Sequence, residues 1–220
     1  MYVVKSLNVV SDFDFERAHT TVNREMCNCL GNLVSRITSL KLNPRQSVPA
    51  LNEQVLAEML DDDDRTMLRQ SEAIADQVGR RFDNFSVNLG IADAMLLLAS
   101  VNAFIQKHEP WKLIKSSDPI DRLRHDCVIH VCADVTRRCA IVLQPIIPEM
   151  SERVLRRLNV PSDRRSWADV ASVLYSRETE TSLGRDEGAT FQRLPPLSAE
   201  YHTAPQATAT EISWCCNQSY

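Results

Sequence analysis

Glycine is scarce in this chain, five in 220 residues. Several tight active-site loops cannot be built from so few. No Gly-x-Ser-x-Gly elbow, Walker-type Gly-Lys-Ser/Thr or Gly-x-Gly-x-x-Gly loop occurs, which removes the common nucleophilic and nucleotide-cradling designs. The apolar–polar alternation of half-buried strands is nearly absent as well, so helices are expected. The longest uncharged apolar run, Ala94 to Phe104, is far short of the ~20 residues that cross a bilayer. No basic, apolar leader opens the chain, and no membrane partner is expected. A basic excess is missing too. The net charge of -4 weighs against an indiscriminate nucleic-acid binder and leaves room for a small, specific RNA contact.

Seven cysteines are present, an odd number scattered without a dense framework, so a reducing compartment and no disulfides are expected. A metal site is not expected either. Cys27-Asn28-Cys29 has no second close pair, and His125 and His130 are five apart, about 140° around a helix, so they do not face one ion. The acids Asp61 to Asp64 and the bases Arg137-Arg138, Arg153, Arg156-Arg157 and Arg164-Arg165 read as solvated loops or helix faces.

The helices can be placed from periodicity and caps. The first spans about Phe15 to Leu40, starting near Asp12 or Asp14 and closed by Asn43-Pro44, with Val22, Met26, Cys29, Leu33 and Ile37 on one stripe. Asn32 and Arg36 lie side by side at the border of that stripe. A short helix is expected within Leu51 to Leu60, a long one from Arg65 to Phe82, and a very hydrophobic one from Ser86 to Lys107. On the face of Ile91, Met95, Leu98 and Ile105 sits Asn102, whose amide must find a partner in a neighbouring helix or loop or cost roughly 1 to 3 kcal/mol. A loop holding Pro110 and Trp111 follows. Ser117-Asp118-Pro119 starts a helix that Gln144-Pro145 stops near Leu143, with a core stripe of Val128, Cys132, Val135, Cys139 and Val142 in which cysteine acts as a small hydrophobe. Pro148 to Leu158 is a short amphipathic helix. Past Pro161, Trp167 to Leu174 is expected to form a further helical turn or two, and Phe191 to Leu194 to pack back on the bundle. The fold class is therefore all-α, an antiparallel helical bundle.

Several motifs in order carry a resemblance: Asn23-Arg24-Glu25, Leu30-Gly31-Asn32-Leu33-Val34-Ser35-Arg36, Leu42-Asn43-Pro44, Asn102-Ala103-Phe104, Glu109-Pro110-Trp111-Lys112-Leu113 and Pro145-Ile146-Ile147-Pro148-Glu149-Met150. Over roughly Phe13 to Asn159 the chain resembles the C-terminal anticodon-binding helical domain of methionyl-tRNA synthetases, the class I synthetase type. The Lys41-Leu42-Asn43-Pro44 segment is similar to the mitochondrial type. The resemblance implies that Asn32, Arg36 and Trp111 hold anticodon bases, that the partner is the anticodon loop of tRNA(Met), and that the chain works in the mitochondrial matrix rather than the cytoplasm. Asn102 is expected to be a structural polar group of the core. Physically the assignment is sound: an aromatic plane stacks single-stranded bases, Arg36 donates in a fixed fork, and Asn32 both donates and accepts. The residues alone favour Trp111 packing on the bundle and Arg36 pairing with a carboxylate, and the resemblance reverses that preference.

The His-x-Gly-His motif of the synthetase catalytic domain is missing, and Lys5-Ser6 matches only the end of its Lys-Met-Ser-Lys-Ser loop. The division expected is 1–14 as a junction from a separate or missing catalytic domain, 15–160 as the bundle, 161–197 as an extension packing on it, and 198–220 as a disordered tail. ATP belongs to the full-length family, and this chain is expected to hold no cofactor and no catalytic residue. The rival readings are the anticodon domain of a related cysteine- or leucine-type synthetase and a protein-interaction bundle without RNA binding. The chain by itself is expected to support no methionine-dependent ATP–pyrophosphate exchange. Exchange well above a no-protein control contradicts that reading.

Overall fold

The computed structural model describes residues 15–186, 188 and 193–196. Asp12, Asp14, Phe191, Gln192 and the 198–220 segment lie outside the described residues. From Phe15 to Ile37 the backbone keeps right-handed helical angles through α1 (Phe15–Thr21), a π-helical stretch (Val22–Gly31) and α2 (Asn32–Ile37). Sequence periodicity at 3.6 residues per turn had no means of registering the wider turns. Within them the inward positions shift: Val22 and Cys29 are half-buried, while Leu30 and Val34 have no exposure beside Leu33 and Ile37. The helix also stops earlier than Asn43-Pro44. Thr38 Oγ1 donates back to Val34 O at 2.9 Å, and the buried Asn43 amide donates to Ile37 O at 3.1 Å and Ser47 O at 2.7 Å. Asn43 thus closes the helix through its side chain rather than by its position in the chain.

Asn52 caps α3 (Glu53–Met59) by accepting from Val55 N at 3.0 Å. The acidic run starts α4 (Asp62–Asp83); Asp61, Asp62 and Asp63 are exposed as expected, but Asp64 is buried. Asp61 and Asp64 form a reciprocal capping box, with carboxylates placed where the helix dipole favours them. A short connection with Phe85 in the left-handed region leads to α5 (Val87–His108), antiparallel to α4. The two approach closely at Gly90, where a Cβ would stand 2.6 Å from the Phe82 ring. By length and composition alone, Val87–Leu113 would suffice to cross a bilayer, more than the Ala94 to Phe104 run suggested. Half of its most apolar window is buried, and α5 packs on α4 and α7.

After α6 (Pro110–Leu113), Asp118 caps α7 (Pro119–Leu143) by accepting from Ile120 N at 2.9 Å, with Pro119 at the first helical position. α7 is the centre of the bundle and touches α2 through α6, α8 (Pro148–Arg157) and β1 (Ser47–Val48). Its Cys132 and Cys139 are fully buried, and burial pushes both thiols upward in pKa. Beyond Pro161 come two 3-10 turns, Ser162–Arg164 and Trp167–Asp169, and β2 (Thr181–Ser182), which pairs antiparallel with β1. Further on, the backbone of Leu194 exchanges hydrogen bonds with the Asn23 amide, at 2.9 and 3.2 Å, so this segment lies against the first helix.

Of the arginines expected on solvated faces, Arg153 and Arg156 are exposed, whereas Arg137, Arg138 and Arg157 are buried. Arg137, without exposure, donates through Nε to Asp134 Oδ1 at 2.9 Å and through its two terminal nitrogens to Asp169 O at 2.9 Å and Ser172 O at 3.0 Å. Arg157 donates to Thr38 O at 3.1 Å and Gln46 Oε1 at 2.6 Å, binding α8 to the loop after α2. Charge-assisted bonds to carbonyls leave no mark in a sequence, because their acceptors are backbone atoms of any residue. Arg137→Ala strips a buried cation from Asp134, from the carbonyls of Asp169 and Ser172 and from Val170 O, and should cost on the order of 3 to 5 kcal/mol in urea denaturation. Arg124→Ala, which removes only a surface pair with Asp121, should cost less than about 1 kcal/mol. Equal costs would show that Arg137 is not a staple.

Candidate nucleic-acid interface

Three elements bring the expected residues together. α2 begins at Asn32 and carries Arg36 one turn later, so both project from one side of the helix. α5 ends at His108, and Glu109 then takes the left-handed conformation, φ 44° and ψ 54°, which turns the chain sharply. Pro110 opens α6, where a missing N–H is harmless, and is itself buried. Trp111 sits in this single helical turn, where a loop was expected, and packs half-buried against the core.

The Arg36 guanidinium lies over the Trp111 ring, 5.3 Å from its centroid, a cation–π contact. Its Nη2 donates to Gln106 Oε1 at 3.3 Å. Of the packing alternatives left open by the sequence, Trp111 does pack on the bundle, but among the described residues no carboxylate pairs with Arg36, which is held by an aromatic face and an amide. Asn32 is exposed, and among the described residues its side chain makes no hydrogen bond.

Asn102 finds the partners its position demands. Its Nδ2 donates to Leu98 O at 2.9 Å on its own helix and to Cys29 O at 3.2 Å across the interface, with Cys29 Sγ at 3.6 Å. Asn32 N also donates to Cys29 O, and to Cys27 O five residues back, the wide hydrogen bond of the π stretch. Asn102 therefore clamps α5 to the irregular helix immediately before Asn32. Gln106, which the sequence reading missed, is four residues beyond Asn102 on the same face of α5; that spacing was the available signal.

A second missed residue, Asp64, fixes the other end of this face. Its Oδ2 accepts from Lys107 Nζ at 2.9 Å and lies 3.0 Å from His108 Nε2, while the His108 ring stands 4.4 Å from that of Phe104. Lys107 also pairs with Asp61, and that hydrogen bond, with the Asp64 backbone, holds the Asp61 carboxyl down to about 2. The capping box of α4 thus anchors the last turn of α5, from which the Trp111 turn departs.

The remaining ligand-type residues are otherwise engaged. His125 Nε2 meets Leu42 O at 2.8 Å and His130 Nδ1 meets Pro49 O at 2.7 Å. Among the described residues no three His, Cys, Asp or Glu side chains gather where they could hold a metal ion.

No known protein-family model matches the chain. Individual proteins do. The mitochondrial methionine–tRNA ligase of Takifugu rubripes is 29% identical over 198 residues, covering 86% of this chain and 33% of that protein. The methionine–tRNA ligase of Kineococcus radiotolerans is 33% identical over 191 residues, 87% of this chain and 28% of that protein. In structure, the free-state methionyl-tRNA synthetase of Mycobacterium tuberculosis aligns with a TM-score of 0.74 and 26% identity over 84% of this chain and 36% of that one. The chain is a homologue of methionyl-tRNA synthetases. It spans about a third of the length of the curated methionine–tRNA ligases it matches. Mitochondrial and bacterial methionine–tRNA ligases match it at similar identity, and the solved methionyl-tRNA synthetase structure accords with an all-α chain.

Burial, reinforced by the charge of Glu25 and opposed by the Asn102 hydrogen bond, pushes the Cys29 thiol up from 9.0 to about 11. The thiolate therefore becomes the major species only above about pH 11. Alkylation of Cys29, followed by peptide mass spectrometry, should be roughly a hundredfold slower at pH 8 than for an unshifted thiol and should keep rising past pH 10. A rate that levels off near pH 9 would contradict this packing of Cys29 under Asn102.

Proposed function

We propose that this chain is the tRNA-selecting part of a mitochondrial methionine–tRNA ligase and that it reads the anticodon loop of tRNA(Met). The observation that carries the reading is the Arg36 guanidinium held over Trp111 beside the solvent-facing Asn32. Trp111, fixed by Pro110 and half-buried, offers a rigid plane for a base, and Arg36 keeps donors free because no carboxylate claims it among the described residues. Arg36 and Asn32 suit a cytosine edge, such as the first anticodon base of methionine tRNA, through a donor fork and an amide that donates and accepts. Asn102 plays a structural part by fixing the helix that carries both. In this reading 15–160 is the RNA-binding bundle, 161–197 a brace upon it, and 1–14 the junction to a catalytic domain that binds ATP. The mitochondrial relatives support the matrix as its compartment.

Trp111→Ala and Arg36→Ala should each weaken binding of a methionine-tRNA anticodon stem-loop by roughly 1 to 3 kcal/mol, about 5- to 150-fold. Arg36→Lys should not rescue, because an ammonium lacks the planar fork. The measurement is affinity at fixed salt for the cognate loop and one with a mutated anticodon, with helicity checked by circular dichroism. Preference for a cysteine or leucine anticodon loop moves the chain to a sister synthetase. Failure of the wild type to bind any loop leaves an interaction bundle, the reading that the net charge of -4 favours.

A further inference from the structure

Away from the Arg36–Trp111 face, a cavity of about 310 Å³ lies between α3, α4, α7 and the 173–177 segment. One wall is apolar, built from Leu51, Leu56, Leu60 and Leu68. Another contains Arg138, whose residue surface is 8% exposed. Arg138 Nε donates to Asp134 Oδ2 at 2.8 Å, but its Nη1 is buried and, among the described residues, has no hydrogen-bond partner. Asp134 is already shared, since its Oδ1 accepts from Arg137. Two guanidiniums therefore divide one carboxylate. Arg137 is completed by backbone carbonyls, whereas Arg138 is left with an unmatched donor and an uncompensated share of positive charge in a desolvated wall.

The other charged groups here do not supply that acceptor. Glu53 pairs with Arg177, Arg65 donates to the carbonyls of Ala57 and Leu60, and Glu72 is exposed. His130 gives its Nδ1 to Pro49 O. A lone water has a share of only about 30 Å³ and gains nothing from four leucines. A dianion meets one open donor, with Glu53 and Glu72 also lining the space.

We propose that this cavity binds a small monoanionic amphiphile, with one carboxylate at Arg138 and an apolar body of medium-chain length along the leucines. The volume falls at the lower end of small-molecule sites, which combine apolar walls with a few placed polar groups. Nη1 is screened from water, so the carboxylate reaches it only if the Arg138 side chain shifts toward the cavity. The site shares no residue with the RNA-reading face and does not depend on that function.

Calorimetric titration of the chain with decanoate tests this, with 1-decanol and inorganic phosphate as controls. Saturable one-to-one binding tighter than about 1 mM is expected for decanoate, at least tenfold weaker for decanol, and none for phosphate. Arg138→Met should weaken decanoate at least tenfold and leave decanol unchanged. Leu56→Trp, which fills the apolar wall and keeps the buried charges, should also weaken decanoate, so the test stands even if Arg138→Met does not fold. No saturable decanoate binding by the wild type, decanol binding as tightly as decanoate, or unchanged decanoate affinity in Leu56→Trp would overturn the proposal.

Discussion

The near-complete burial of α7 is the constraint on which the rest of the structure depends. Seventeen of its 25 residues are buried, and beyond its first two turns it has almost no solvated face on which to leave polar groups. Some of its buried polar side chains turn back on the helix, as Thr136 does to Cys132 O at 2.6 Å, while others reach outside it and draw irregular chain against it. His125 and His130 hold the carbonyls of Leu42 and Pro49, which lays the segment after α2 along the helix. Arg137 gathers the carbonyls of residues 169–172 on the other side. The loops of this protein follow the polar residues of its most hydrophobically surrounded element.

Much of the fold was legible in the sequence, because its signals are local. Asp118-Pro119 and Gln144-Pro145 mark the ends of α7, and the valine and cysteine stripe marks its core face. The need of Asn102 for a partner was legible also; the identity of that partner, a backbone carbonyl of Cys29, was not. What escaped is what depends on tertiary partners. The four aspartates look like any solvated run until Lys107 and His108 arrive at Asp64 from a helix more than forty residues away. The candidate site was legible in part. Asn32, Arg36 and Trp111 carry the resemblance, but the amide that steadies Arg36 was hidden in the spacing from Asn102 to Gln106.

Net acidity and a proposed RNA contact are compatible because of how the cations are used. Arg137, Arg157 and Arg165 are engaged with carbonyls or carboxylates inside the bundle, and the more exposed Arg45, Arg81 and Lys107 are paired with carboxylates. Their charge is spent on architecture and contributes little to a general phosphate field. A guanidinium on an aromatic ring is a different use of the same group. It keeps its edge donors open, so recognition by shape and hydrogen bonding does not need a basic surface.

The π-helical stretch makes the number of residues before Asn32 matter as much as their identity. Each residue of a helix turns the chain by roughly a quarter of a turn, so removing one residue between Val22 and Gly31 with the wide turns kept would swing Arg36 by about that much. The guanidinium would then face away from Trp111, with every side chain of both elements still present. In this part of the chain a length change is more disruptive than most substitutions. Two sequences could agree at Asn32, Arg36 and Trp111 and still differ in whether those residues meet.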